Sequence, residues 1–308
     1  MKGERGLAVA TLLGAMVLWA GSFVALKIAF RSCDPYFVIF GRMAVATCCA
    51  LLFYRQVRRC SYQKGDWLYI AGLGLCEPCL YFVFEAKALM LTSASQAGMI
   101  TALLPVMVAV GAWLVFKERM TRRIVAGFAL AVAGVCVLTF TGDATELAPN
   151  PPLGNFYEFL AMVTATGYTL ILKRLSFRYS PLFLTSVQSV AGALFFALLM
   201  WVLGIPFPES IPMEAALTIV YLGVFVTFGA YFCYGFAMGR MPASQATAYI
   251  NLIPVLTLFF GWLFLGEVFT PVQYVAAAMV IAGVYLSQDG SARASAPQEG
   301  GGSGGAQA

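Results

Sequence analysis

The chain has 308 residues, 61% hydrophobic and only 11% charged, with 19 basic against 14 acidic side chains, a net charge of +5 and no histidine. An ordinary soluble domain carries about 25% charged residues, so composition excludes one, and the lack of histidine excludes a His nucleophile relay, a His metal site and a His proton relay. The positive balance comes with no nucleic-acid motif and serves to set membrane topology and attract anionic lipid headgroups.

A helix crossing the hydrocarbon needs about 20 mostly apolar residues, and ten stretches supply them: 6–30, 35–54, 66–89, 92–116, 123–141, 153–174, 180–203, 213–237, 241–266 and 271–287. The alternation of β-barrel strands is absent. The first span holds Trp19, Ser22 and Phe23, ends near Lys27, and is too long for a cleaved signal peptide. The second opens at Pro35 and carries Arg42; the third carries Glu77, Tyr81, Phe82, Glu85 and Lys87. Cys76 and Cys79 have C-x-x-C spacing but lie mid-span with no second pair, so they read as small packing residues, and the eight cysteines imply no disulfide framework. The fourth span includes Thr101 and Pro105, the sixth Tyr168 and Lys173, the eighth Tyr231 and Tyr234, and the ninth Thr247, Tyr249, Asn251 and Pro254. Pro-rich outer loops fall at 142–152 and 204–212. The Gly-rich tail 289–308 has too little apolar surface to fold.

Ala94-Ser95-Gln96-Ala97 returns as Ala243-Ser244-Gln245-Ala246, Pro105 as Pro254, Glu118 as Glu267 and Thr121 as Thr270, all 149 residues on. The flanks agree, Gly74 answering Gly223 and Gly134 answering Gly283. The chain therefore divides into a first five-helix repeat at 1–141, a loop at 142–152, a second repeat at 153–288 and a tail at 289–308. Five spans per half is odd, so the repeats are inverted. Cytoplasmic loops collect Lys and Arg, and placing both termini inside puts 15 of the 19 basic residues on that side. The expected fold is an all-α integral membrane protein of ten transmembrane helices in the cytoplasmic membrane.

Ionisable side chains inside hydrocarbon are costly and face an interior. At ~1.5 Å per residue, Arg42 and Glu77 lie roughly 10 and 15 Å below the outer surface and can meet. Lys27, Glu85 and Lys87 fall near the outer edge, where long side chains snorkel to water; Lys27 and its repeat partner Lys173 read as helix-end anchors. Glu118 and Glu267 sit three residues before a Thr that can cap the next helix and read as structural. Pro105 and Pro254 free the carbonyls of Thr101 and Ile250, and such breaks occur where they face protein or a wet cavity. Thr101, Tyr249 and Asn251 are thus candidate cavity lining, beside the aromatics Trp19, Phe23, Tyr81, Phe82, Tyr168, Tyr231 and Tyr234.

The pattern resembles the EamA-type transporters of the drug/metabolite transporter superfamily. The resemblance rests on Trp19-Ala20-Gly21-Ser22-Phe23 with Lys27, Pro35, Arg42, Ala88-Leu89 with Thr92-Ser93-Ala94, Pro105, and the endings Lys117-Glu118-Arg119-Met120-Thr121 and Gly266-Glu267-Val268-Phe269-Thr270. It implies two inverted five-helix repeats and export or exchange of small metabolites, often amino acids. No cofactor or metal is expected; the partners are a small-molecule substrate and membrane lipid, not nucleic acid, with the chain acting as monomer or homodimer. The aromatic walls and deep charges suit a zwitterion with an apolar side chain, moved outward by alternating access. A proton-coupled exporter of lipophilic cations, with Glu77 or Glu85 as exchanging acid, is the second reading. A membrane enzyme or a non-transporting scaffold is the third; the missing histidines oppose the former and the paired helix breaks the latter.

Overall fold

A computed structural model of the chain describes residues 2–60, 62–116, 121–142, 144–146, 148–241 and 243–294. Among them the regular structure is helical, with one isolated bridge between Thr145 and Ala148. Eight helices are long and apolar enough to cross a membrane: α1 (Gly6–Phe30), α2 (Pro35–Leu52), α3 (Trp67–Leu91), α4 (Ala94–Val115), α5 (Arg122–Phe140), α7 (Pro181–Leu203), α8 (Met213–Met238) and α9 (Gln245–Leu265). Two further helices fall short of that measure. The sixth expected span forms α6 (Pro151–Leu175), made polar by Asn155, Glu158, Lys173 and Arg174. The tenth forms α10 (Pro271–Ala294), of which Pro271–Leu286 is apolar.

The sequence marks where these helices start. Asp34 accepts from Tyr36 N at 2.8 Å ahead of Pro35, and Asn150 and Ser180 cap α6 and α7 in front of Pro151 and Pro181. Proline at the first helical position sacrifices an N–H that has no intrahelical partner. Thr121 caps α5 through Ile124 N, and Thr270 exchanges hydrogen bonds with Gln273 in a capping box. Glu267 does more than precede that cap: its two oxygens accept from Ala94 N and Ser95 N at 2.9 and 2.8 Å, closing the start of α4 across the molecule. Glu118 lies outside the described residues.

Packing between the halves is reciprocal. Helix α1 lies against α8 and α9, α6 against α3 and α4, α2 against α7 and α8, and α5 against α10. The last pair is held by small residues that let backbones approach. A Cβ added at Gly283 would sit 2.5 Å from Gly127 O and Ala131 N, and one at Gly134 would sit 2.8 Å from Ala276 O. Burial follows the same faces, with Ala131, Ala276 and Val280 fully covered.

Four of the central helices are broken. Short 3-10 turns at Thr101–Leu103 and Tyr249–Asn251 lie just ahead of Pro105 and Pro254, where each proline leaves a carbonyl without its helical donor. Helices α3 and α8 widen into π stretches at Leu75–Leu80 and Leu222–Ala230. In α3 the break carries Pro78 behind a cis peptide, and Glu77 takes non-helical φ/ψ of −149° and 117°. Gln188 of α7 covers the exposed Glu77 carbonyl with a 3.1 Å hydrogen bond.

Candidate functional site

The breaks surround a central cavity, because each replaces a helix's own hydrogen-bonded surface with a notch. Thr101 and Leu104 enter it from α4, Ile250 and Ile253 from α9, Glu77 from α3 and Tyr231 from α8. Ten of the residues expected to bind substrate line it together: Trp19, Ser22, Arg42, Glu77, Tyr81, Glu85, Thr101, Tyr168, Tyr231 and Tyr234. Phe23 and Phe82 complete its aromatic wall. Only about 50 Å³ of this space is open to water, enough for a few water molecules and less than an amino acid fills.

Tyr249 and Asn251 belong elsewhere. Both line a second cavity of about 590 Å³ with Val9, Ala102, Met241, Gln245 and Tyr285. The reason is helical geometry: in the broken stretches Thr101 and Ile250 face the centre, so their chain neighbours Ala102, Tyr249 and Asn251 face away from it, into the second space.

Charge in the central site is arranged differently from the depth argument. Arg42 is 1% exposed; its Nη1 lies 3.9 Å from Glu85 Oε2, its Nε donates to Thr227 Oγ1 at 2.9 Å, and its guanidinium covers the Phe82 ring at 4.4 Å. The ion-pair partner of Arg42 is thus Glu85, not Glu77. Glu85 is also not at a wet edge: it is 2% exposed and accepts from Tyr81 Oη at 3.0 Å. Spacing explains both. Tyr81 and Glu85 stand four residues apart on one face of α3, while the break at Pro78 turns Glu77 off that face to accept a hydrogen bond from Tyr231 Oη.

The aromatic rings form one cluster. Trp19 meets Tyr231 edge-on at 5.3 Å and Tyr234 at 5.1 Å, and Tyr231 meets Tyr168 at 6.2 Å. Ser22 and Thr101 spend their hydroxyls on their own helices, donating to Trp19 O and Gly98 O. Four polar atoms of the lining have no hydrogen-bond partner: Trp19 Nε1, Arg42 Nη1, Glu85 Oε2 and Tyr234 Oη. A buried polar group without a partner costs roughly 1–3 kcal/mol, so the cavity holds unused capacity of both signs.

The lysines are structural in outcome, though not as read. Lys27 is buried rather than snorkelling, and the Glu267 carboxylate acts on it. Lys173 donates to Met238 O and Met241 O at 2.7 and 2.8 Å, which neutralises the C-terminal end of α8 rather than of its own helix. Lys87 lies over the Tyr157 ring.

Three partners went unnoticed in the sequence. Thr227 and Gln188 are ordinary polar residues inside apolar spans and leave no signal beyond that. Glu158 leaves a clear one: it is an acid seven residues inside α6, fully buried, and the rule that singled out Arg42 and Glu77 applies to it equally.

Comparison with known proteins agrees with this architecture. A crystal structure 20% identical, covering 91% of this chain and 98% of its own, shares the fold with a TM-score of 0.65. An uncharacterized transporter of Archaeoglobus fulgidus is 25% identical over 273 residues, 88% of this chain and 94% of that protein. A "Probable terminal-alkyne amino-acid exporter" of Streptantibioticus cattleyicolor is 26% identical over 91% of this chain and 92% of its own length. A "Probable amino-acid metabolite efflux pump" of Salmonella typhimurium is 25% identical over 88% of this chain and 91% of its own. The model of the EamA-like transporter family matches twice, at residues 6–140 and 152–288, and with nearly all of its helical bundle accounted for, the chain belongs to that family of membrane transporters.

Proposed function

We propose that the chain exports a small amphipathic metabolite carrying an amino group, most simply an amino acid with an apolar side chain, by alternating access. In this reading all ten helices span the cytoplasmic membrane as two inverted repeats, 1–141 and 153–288, with both termini inside. The reciprocal packing of the halves and the matched breaks at Pro105 and Pro254 support it.

One observation carries the substrate class: Arg42 Nη1 and Glu85 Oε2 face each other as a long ion pair of 3.9 Å in which neither atom makes a hydrogen bond, and Trp19 Nε1 also makes none, all at the wall of one aromatic cavity. A carboxylate would pair with Arg42, an ammonium with Glu85 or Glu77, and an apolar side chain would lie among Trp19, Tyr168, Tyr231 and Tyr234, whose ring faces also favour a cation. Relatives named as amino-acid exporters point the same way. A sugar phosphate fits worse, because a polyanion calls for several buried cations.

Counterflow into liposomes holding the purified protein tests this against amino acids, nucleosides and quaternary ammonium compounds. Phenylalanine and leucine should exchange and nucleosides should not; exchange of nucleosides alone, or of nothing, removes the reading. One feature favours the second reading, export of a lipophilic cation in exchange for protons: three carboxyls of the helices, Glu77, Glu85 and Glu158, are buried, and Arg42 forms its ion pair with Glu85.

A further inference from the structure

Glu158 is fully buried and neither of its oxygens has a hydrogen-bond partner. It does not line the central cavity; it stands behind it. Asn150 N donates to Leu91 O at 3.0 Å, so the start of α6 meets the end of α3 and the two helices run antiparallel. A Cβ on Gly154 would lie 2.7 Å from Thr92 Cβ and 3.0 Å from Ala88 O, which fixes their register. One helical turn further along α6, and one turn back along α3, Glu158 comes opposite Glu85, and the two carboxyls act on each other.

Among the described residues, the other faces around Glu158 hold no cation that answers it. Helix α3 presents Tyr81 and Glu85, with Glu77 further on; Arg42 of α2 is already paired with Glu85. Lys87 is engaged with Tyr157, the residue preceding Glu158 on α6. Helices α4 and α5 contribute Gln96 and Thr139, neither titratable. An ionised carboxylate in such a place would cost far more than its neutral form.

A hydrogen-bonded polar cluster, which Glu158 itself does not join, lies between this acid and the loop side of the bundle. Thr92 Oγ1 donates to Asn155 Oδ1 at 2.7 Å, and Asn155 Nδ2 donates to Gln96 Oε1 at 2.9 Å and Thr139 Oγ1 at 3.1 Å. Asn155 lies one turn from Glu158 on the same helix, and Gln96 packs against Gly142 at the loop.

We propose that Glu158 is the proton-carrying residue of this transporter, loaded by water from the outer face past the Thr92, Gln96 and Asn155 cluster and discharging to Glu85 at the substrate cavity. In the transfer an O–H bond on Glu158 breaks as one forms on the Glu85 carboxylate, and Glu158 is reloaded by a proton from outer water. A substrate ammonium entering from the cytoplasm takes the place of that proton on Glu85, which leaves to cytoplasmic water, so one proton enters for each substrate that departs. The step rests on the export reading above, whereas the existence of a neutral Glu158 does not.

Two measurements separate the two claims. Infrared spectra of the purified protein at neutral pH should contain a neutral-carboxyl C=O band that Glu158→Asp keeps and Glu158→Gln loses; a wild-type spectrum with no band lost in Glu158→Gln overturns the proposal whether or not any substrate is transported. In liposomes, one pH unit should gather phenylalanine or tetraethylammonium, whichever exchanges in counterflow, about tenfold on the acid side for one-for-one exchange. Glu158→Gln should abolish that accumulation while counterflow stays within about twofold, a difference of roughly 0.4 kcal/mol. Accumulation equal to wild type in Glu158→Gln overturns the coupling.

Discussion

At the level of single side chains, the site is a small number of charges placed where charge is expensive. Removing one member of a buried ion pair strands the other, at a cost of about 3–5 kcal/mol. Arg42→Gln should therefore lower the thermal unfolding temperature of the purified protein, and adding Glu85→Gln should restore at least half of the loss. Glu77→Gln should behave differently. Its amide oxygen still accepts from Tyr231 Oη, so the fold should hold while counterflow falls; full activity in Glu77→Gln would remove Glu77 from the site, and no destabilisation by Arg42→Gln would contradict the pairing with Glu85. Residue chemistry was half legible from sequence. Depth along a helix identified Arg42 and Glu77 as interior, but it misplaced Glu85 and Lys27, which are buried by their neighbours although they lie nearer a helix end. Pairing was not legible, since it depends on azimuth around the helix, and the turn at Pro78 changed the azimuth of Glu77 relative to Glu85.

At the level of helices, the breaks decide what the cavity is. Pro105 and Pro254 create the notches from which Thr101 and Ile250 reach the centre. Alanine restores the missing donor and favours a continuous helix. Each of Pro105→Ala and Pro254→Ala should slow counterflow by about tenfold, equivalent to 1.4 kcal/mol, at equal expression; rates unchanged in both would reduce the kinks to simple accommodation. These two notches were readable from sequence because proline announces itself at matched positions. The π stretch Leu222–Ala230 was not, as it contains no proline and depends on packing against α1 and α2. The break at Leu75–Leu80 had its marker in Pro78, hidden inside a Cys-Glu-Pro-Cys string that drew attention to its sulfurs.

At the level of the whole molecule, the 149-residue offset foretold pairs of equivalent features, and the structure holds several. What an offset cannot foretell is which helix touches which, so the docking of α1 on α8 and α9, and of α6 on α3 and α4, emerges only in three dimensions. Orientation in the membrane has its own test. Glu146 is exposed in the loop between the halves, and with both termini inside, a Glu146→Cys protein in intact cells should gain labelling by an impermeant maleimide over the native cysteines. Labelling gained only after the cells are opened would reverse the topology.

The cross-molecule cap made by Glu267 has a further consequence, for the order in which the protein is made. Ala94 and Ser95 must wait for a carboxylate synthesised more than 170 residues later. Until then these two N–H groups at the start of α4, on residues that are buried in the finished protein, lack their native acceptor. The native start of α4 is therefore completed only when the chain beyond α9 has been made, so a first half made alone keeps the local Ser93 cap and lacks the one that ties it to the second half.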